Sequence, residues 1–132
     1  MTDMNRVFIT GLSALTASGA TAEETWASIL AGKQSIDEIK QWDLSTWTHR
    51  LGAEIKDYKP AAMLPDRKLM KVISRQDVFG INAAMQAVEH SQLLNYRDTL
   101  ECPLSYNENT AVFVGSPGNK YYQQYDFLPL IA

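Results

Sequence analysis

The stretch RVFITGLSALTASG, residues 6–19, decides how this chain begins to fold. Its first part, residues 6–10, is rich in β-branched and aromatic side chains, which is typical of a buried strand. From Gly11 to Gly19 small residues dominate, and small residues allow two stretches of backbone to approach closely. The stretch therefore predicts a buried strand that leads into a tightly packed loop.

A short helix is predicted directly after this loop. Thr21 and Glu24, three residues apart, have the spacing of a capping box, in which each side chain accepts a hydrogen bond from the other residue's backbone. Trp26 and Leu30 follow on one helical face, which predicts an apolar stripe turned towards a core. Gly32 suits the position just after a helix, where a left-handed backbone is common.

A longer helix is predicted in the second half of the chain. Ser74 with Asp77 gives a second start of the capping-box type, and the helical pattern runs to residues 90–92. Several alanines keep this helix slim, which suits packing on more than one side. Gly80 inside it costs about 1 kcal/mol relative to alanine unless close packing offsets the cost.

The remaining segments complete the predicted fold class. The run TAVFV, residues 110–114, predicts a second buried strand, and residues 51–55 alternate as a short strand does. Residues 35–47 are predicted as a packed loop with a short helical turn, and residues 57–65 and 95–109 as loops. Strands that alternate with helices predict an α/β fold with a parallel or mixed sheet covered by helices.

Composition and charge exclude several classes of protein. The 132 residues carry a net charge of −3, which argues against nucleic acid as a partner. The single cysteine rules out a disulfide within the chain and favours a reducing compartment. Residues 1–6 lack the apolar core of a signal peptide, and no apolar run reaches the roughly 18 residues of a membrane span. We therefore expect a cytoplasmic protein.

The residues that most often carry chemistry lack the surroundings that chemistry needs. Cys102 follows Glu101, whose charge would oppose formation of a thiolate. His49 and His90 are far apart in sequence and have no further ligands at metal-binding spacing. The sequence GSPG at 115–118 matches neither phosphate-binding glycine pattern and predicts a turn. We expect no catalytic residue, no metal site and no cofactor in this chain.

Four motifs, taken in order, resemble the amino-terminal portion of a known family. They are the strand and loop of residues 6–19, the helix with Trp26 that ends in Leu30-Ala31-Gly32-Lys33, the pairs Arg67-Lys68 and Ser74-Arg75 before the long helix, and the strand of 110–116. Together they resemble the β-ketoacyl-acyl-carrier-protein synthases, or ketosynthases. The resemblance spans nearly the whole chain, so residues 1–132 are interpreted as an incomplete amino-terminal part of such a domain.

The resemblance implies a fold and an activity. Ketosynthases have a thiolase-like fold of two similar α/β halves stacked in layers, and they are usually dimers. They condense an acyl thioester with malonyl-carrier protein and release carbon dioxide, in fatty-acid, polyketide or polyene synthesis. A nucleophilic cysteine and two histidines perform the reaction, and the resemblance places all three beyond residue 132. The implied partners are acyl carrier protein and a second ketosynthase subunit.

By the same resemblance, the last part of the chain lies near the acyl pocket and the dimer interface. The residues that we expect there are Gly115, Ser116, Phe127 and Leu128. The chain would supply scaffold, pocket wall and interface, because its sheet and apolar helix faces would need other polypeptide to cover them.

Two other interpretations stay open at this point. The chain could be a non-catalytic partner subunit similar to the chain-length factors, which lack the nucleophile but shape the acyl cavity. It could also be an independent α/β binding module. The apolar residues at 128–132 favour the first two interpretations over this third one.

Overall fold

The computed structural model describes residues 6–56 and 59–115. In chain order the elements are helix α1 (Ala22–Leu30), strands β1 (Ile36–Glu38) and β2 (Leu51–Ala53), helix α2 (Pro60–Met63), a 3₁₀ helix (Arg67–Lys71), and helices α3 (Arg75–His90), α4 (Leu93–Asp98) and α5 (Pro103–Glu108). Among these described residues, no helix has both the length and the apolar character that crossing a membrane requires.

Helix α1 begins and ends as its sequence predicts. The Thr21 hydroxyl accepts a hydrogen bond from the backbone N–H of Glu24 at 3.2 Å. The Glu24 carboxylate accepts from the N–H of Ala20 at 2.8 Å and not from that of Thr21, so only half of the predicted capping box forms, and the preceding loop is tied to the first turn. Gly32 has a φ of 63°, the left-handed conformation expected just after a helix. The predicted apolar stripe, however, is largely exposed to solvent, with Trp26 at 60%.

Helix α3 is the element against which the others pack. Its start carries a complete capping box. The Ser74 hydroxyl accepts a hydrogen bond from the Asp77 backbone N–H, and the Asp77 carboxylate accepts one from the Ser74 backbone N–H. Helices α2 and α4 both contact it, while α2 also contacts the 3₁₀ helix and α4 also contacts α5. Val78, on α3, is 2% exposed, and Leu64 is 8% exposed. These two are the buried apolar side chains among the described residues, so the core that they form is small.

The small-residue loop lies along the second half of α3, as its composition predicts. A Cβ atom on Gly11 would lie 2.4 Å from the carbonyl oxygen of Ala87, a distance that no side chain tolerates. The Ser13 hydroxyl donates a hydrogen bond to the carbonyl of Ala83 at 2.7 Å. Only glycine therefore fits at the point where the two backbones meet.

The described residues contain one small sheet. Strands β1 and β2 pair antiparallel, with Ile36 opposite Ala53 and Glu38 opposite Leu51. The expected strand over residues 51–55 is thus present as β2, but the prediction of a loop over 35–47 is wrong where β1 lies. The strand of three residues was missed because its alternation is too short to separate from a packed loop.

Two further predicted loops are wrong because they contain helices. Residues 95–109 include most of α4 and all of α5, and residues 57–65 include α2. Pro60 and Pro103 each stand at the first position of a helix. Proline is favoured there because its missing N–H has no helical partner to lose.

The two predicted core strands are not strands in the structure. Residues 6–10 and 111–115 belong to no sheet, and the apolar side chains within them are exposed. A strand needs a neighbour that accepts and donates its backbone hydrogen bonds, and the described residues place none beside either segment. The predicted parallel or mixed sheet is accordingly absent from residues 6–56 and 59–115.

Replacing Gly80 with alanine should stabilise the protein. Gly80 lies inside α3 with no other atom within 4 Å of the position of an added Cβ. The substitution therefore removes the entropic cost of a helical glycine, about 0.5–1 kcal/mol, without a clash. Urea unfolding measures the change. Gly32→Ala is the matched control and should destabilise, since φ there is 63°; a gain for Gly32→Ala and a loss for Gly80→Ala would contradict this account.

The capping box of α3 should make stability depend on acid pH. The pKa of Asp77 lies below its ordinary value, chiefly because its carboxylate accepts a hydrogen bond from the Ser74 backbone N–H and also from the Ser74 hydroxyl. A carboxyl with a lowered folded pKa stabilises above its unfolded pKa, and this contribution is lost as the pH falls through the folded pKa.

Ser74→Ala should therefore cost about 1 kcal/mol at neutral pH. For Asp77→Asn, the stability lost relative to the parent should shrink as the pH falls from about 5 to about 2. Urea unfolding across this pH range tests both substitutions. A deficit for Asp77→Asn that stays constant over the range would show that its carboxylate does not act through its charge.

Candidate functional site

The residues predicted at the acyl pocket or interface fall mostly outside the described part of the chain. Gly115 is the last described residue, and it is exposed with open space around its Cα. Ser116, Phe127 and Leu128 lie outside the described residues. Their assignment to a pocket wall or an interface therefore stays a prediction.

Two short stretches of the chain, one of them just before Gly115 in sequence, expose apolar side chains that folded proteins usually cover. Residues 7–9 and 112–114, called here the two apolar runs, carry six valine, phenylalanine and isoleucine side chains. Each of these side chains is between 73% and 94% exposed. No backbone hydrogen bond joins either run to another described residue. Exposed extended segments with free N–H and C=O groups are templates for pairing with another strand.

A groove between α3 and α4 adds to this uncovered apolar surface. It has a volume of about 660 Å³ and is lined by Ile81, Met85 and Val88 of α3 and by Leu94 of α4. These α3 residues share one helical face, and Met85 is 44% exposed. The sequence predicted an α3 that is packed on more than one side, and within the described residues this face has no cover.

His90 links the end of α3 to the small-residue loop. His90 ends α3, and its Nδ1 lies 3.1 Å from the backbone nitrogen of Leu12 and 3.2 Å from the Leu12 carbonyl oxygen. One ring nitrogen can therefore accept from the amide or, when protonated, donate to the carbonyl. His90 also helps to lower the pKa of Glu23 on α1, although hydrogen bonds from the Glu23 backbone and from Thr21 are larger causes.

The lone cysteine stands at an exposed position. Cys102 is the residue before α5, and its side chain makes no capping hydrogen bond. His49 is exposed in the loop before β2. Within the described residues, no three histidine, cysteine, aspartate or glutamate side chains come together in a way that could hold a metal ion.

Arg75 has a role that its sequence position does not reveal. Its guanidinium donates to the carbonyl of Ile55 at 3.1 Å and to the side chain of Gln41, and it lies 5.3 Å from the centre of the Phe79 ring. These contacts tie the region around β1 and β2 to the start of α3. In sequence Arg75 stands close to the basic residues of the 3₁₀ helix, but its partners are 20 and 34 residues away.

Comparisons with known proteins agree with the four sequence motifs. Residues 4–130 match the family model described as "Beta-ketoacyl synthase, N-terminal domain". The chain is 34% identical over 92 residues to 3-oxoacyl-acyl-carrier-protein synthase 2 of Synechocystis, a match that covers 70% of this chain and 22% of the relative. The same enzyme of Staphylococcus aureus (strain COL) is 31% identical over 115 residues, covering 87% of this chain and 25% of the relative.

A second kind of relative matches over a shorter stretch. The tetracenomycin polyketide synthase ketoacyl synthase beta subunit of Streptomyces glaucescens is 41% identical over 63 residues, which is 48% of this chain and 15% of that subunit. The chain thus spans no more than a quarter of the length of these curated relatives. Because the family model covers nearly all of its residues, the chain belongs to the β-ketoacyl synthase amino-terminal domain family.

Proposed function

We propose that this chain is the amino-terminal part of a β-ketoacyl synthase that lengthens acyl chains by decarboxylative condensation with malonyl-acyl-carrier protein. The observation that supports it most is the match of residues 4–130 to the family model, together with relatives named 3-oxoacyl-acyl-carrier-protein synthase. The pathway is fatty-acid, polyketide or polyene synthesis, and the complete enzyme has the thiolase-like layered fold. Acyl carrier protein and a second ketosynthase subunit are its partners.

In this proposal the chain contributes structure rather than chemistry. Its single cysteine, Cys102, is exposed at the start of a six-residue helix and lacks a capping contact. A cysteine nucleophile needs an adjacent base that activates its thiol and preorganised donors for the oxyanion. The nucleophile and the two histidines come from polypeptide beyond the residues of this chain.

The uncovered apolar surface supports the scaffold role. The two apolar runs have the composition of core strands, and the α3–α4 groove has the composition of a buried helix face. Leaving these surfaces in water forgoes about 25 cal/mol for each Å² of apolar area that could be buried. Further ketosynthase polypeptide, either from the same domain or from a partner subunit, covers them. Gly115, Ser116, Phe127 and Leu128 then lie at the pocket wall or the interface.

A second candidate function is that of a non-catalytic partner subunit of the chain-length-factor type. The specific observation in its favour is the 41% identity to a polyketide ketoacyl synthase beta subunit. The third interpretation, an independent binding module, fits the structure less well. A module that folds alone would bury more than the two apolar side chains, Leu64 and Val78, that are buried among the described residues.

Cys102 should not become acylated. When the purified chain is incubated with an acyl-carrier-protein thioester, intact-mass spectrometry should show no added acyl group. The reason is that Cys102 is exposed and makes no capping hydrogen bond, and that in this proposal the nucleophile lies in further ketosynthase polypeptide. The Cys102→Ala variant is the control for non-enzymatic labelling. An acyl adduct that forms on the parent and disappears in Cys102→Ala would assign the nucleophile to this chain and contradict the proposal.

The second apolar run should carry part of the energy of association. The double variant Val112→Thr with Val114→Thr keeps the side-chain shape but replaces buried methyl groups with hydroxyls. The Kd for association with another polypeptide should therefore rise at least tenfold. Sedimentation of the chain with its co-purifying ketosynthase polypeptide measures this. Val72→Thr, at a valine that is 80% exposed and outside both runs, is the matched control and should have no effect. Equal effects of the two variants would show that the run is not an interface.

A further inference from the structure

A cavity of about 540 Å³ lies beside the later part of the small-residue loop. Its walls come from the loop residues 15–21, from the segment around Lys56, and from α2 and α3. This volume lies within the range of small-molecule sites in proteins. It is formed by segments that are distant in sequence, and the first two family motifs supply only part of its wall.

Hydrogen bonds between side-chain amides and backbone fix the walls of this cavity. Gln86 on α3 donates to the carbonyl of Ala20 at 3.0 Å and to the side chain of Asn82 at 2.8 Å. Asn82 in turn donates to the carbonyl of Met63 at the end of α2, at 3.3 Å. The loop, α3 and α2 are thereby held at set positions. Walls that are already in place reduce the ordering cost of binding.

The charges around the cavity are mainly positive. Lys33, Lys56 and Lys59 line it, against a single acidic lining residue, Glu24, among the described residues. The Glu24 carboxylate already accepts a hydrogen bond from the Ala20 N–H. The chain as a whole has a net charge of −3, so this concentration of lysines runs against the overall charge. A concave, positively charged site raises the local concentration of anions.

One of the three lysines, Lys56, forms an ion pair with an acidic residue. The ammonium of Lys56 lies 3.5 Å from the carboxylate of Asp37, and both side chains are 55% exposed. Ion pairs that are this exposed contribute little, so an incoming anion can compete for Lys56. The pKa of Asp37 is lowered mainly by a hydrogen bond from the Glu38 backbone and only secondarily by Lys56.

We propose that this cavity binds a small organic anion through Lys33, Lys59 and Lys56. The ligand carries a phosphate or carboxylate group on a short apolar body. The lysines bind the anionic group, and Leu15, Ile55 and Met63 contact the apolar part, because all three also line the cavity. The proposal rests on the described cavity and does not depend on the proposed function.

Calorimetric titration of the full chain, in the form in which it purifies, tests the site with phenyl phosphate as the probe at constant ionic strength. We expect saturable binding of one phenyl phosphate per chain, with a Kd below about 10 mM. Lys33→Gln with Lys59→Gln should weaken this binding by about fivefold to tenfold, since two charge contacts are lost. Lys68→Gln removes an exposed lysine of the 3₁₀ helix and should leave the binding unchanged.

Two matched probes separate the parts of the proposal. Benzyl alcohol, which lacks the charge, should bind at least tenfold more weakly than phenyl phosphate, and benzoate should bind comparably. The site is refuted if phenyl phosphate does not saturate, if Lys68→Gln weakens binding as much as the double variant, or if benzyl alcohol binds equally well. The lysines are exposed, so the glutamine variants should fold; the single variant Lys59→Gln, with an intermediate loss, provides a second reading.

Discussion

The contact between Gly11 and the last turns of α3 is the constraint on which the described structure depends. The two backbones meet so closely that a Cβ atom on Gly11 would overlap the carbonyl of Ala87. The Ser13 hydroxyl donates to the Ala83 carbonyl and the Leu12 N–H donates to His90, so two hydrogen bonds hold the loop along the helix. The position of this loop decides where the first apolar run emerges, and its later residues form one wall of the lysine-lined cavity.

In the described structure the N-termini of α1 and α3 are capped, but many apolar side chains are exposed. Helices α1 and α3 have satisfied N-termini, and polar side chains such as Arg75 link distant segments by hydrogen bonds. Apolar side chains on α1, on both apolar runs and in the α3–α4 groove face water instead. Local hydrogen bonds can therefore form before the hydrophobic surfaces find their partners. A scaffold that completes its core with further ketosynthase polypeptide is expected to look this way.

Features that depend on neighbouring residues were predictable from the sequence, whereas those that depend on distant partners were not. The capping residues Thr21 and Ser74 act over three positions, so both helix starts were predicted correctly. Residues 6–10 and 110–114 have the composition of strands, but a strand also needs a neighbour, which composition does not contain. The cavity was missed for a similar reason: Lys33 comes from a different segment than Lys56 and Lys59, and the sequence does not show that the two segments meet. At the candidate interface only Gly115 is described, so its role rests on the family resemblance.

The claim at the centre of this account is that other polypeptide covers the two apolar runs in the native protein. Hydrogen exchange of the purified native assembly, followed by mass spectrometry, tests it most directly. The account predicts that the amides of residues 6–10 and 111–115 exchange as slowly as those of α3, because they are paired in a sheet. Fast exchange in both runs, in an assembly whose α3 amides are protected, would contradict it.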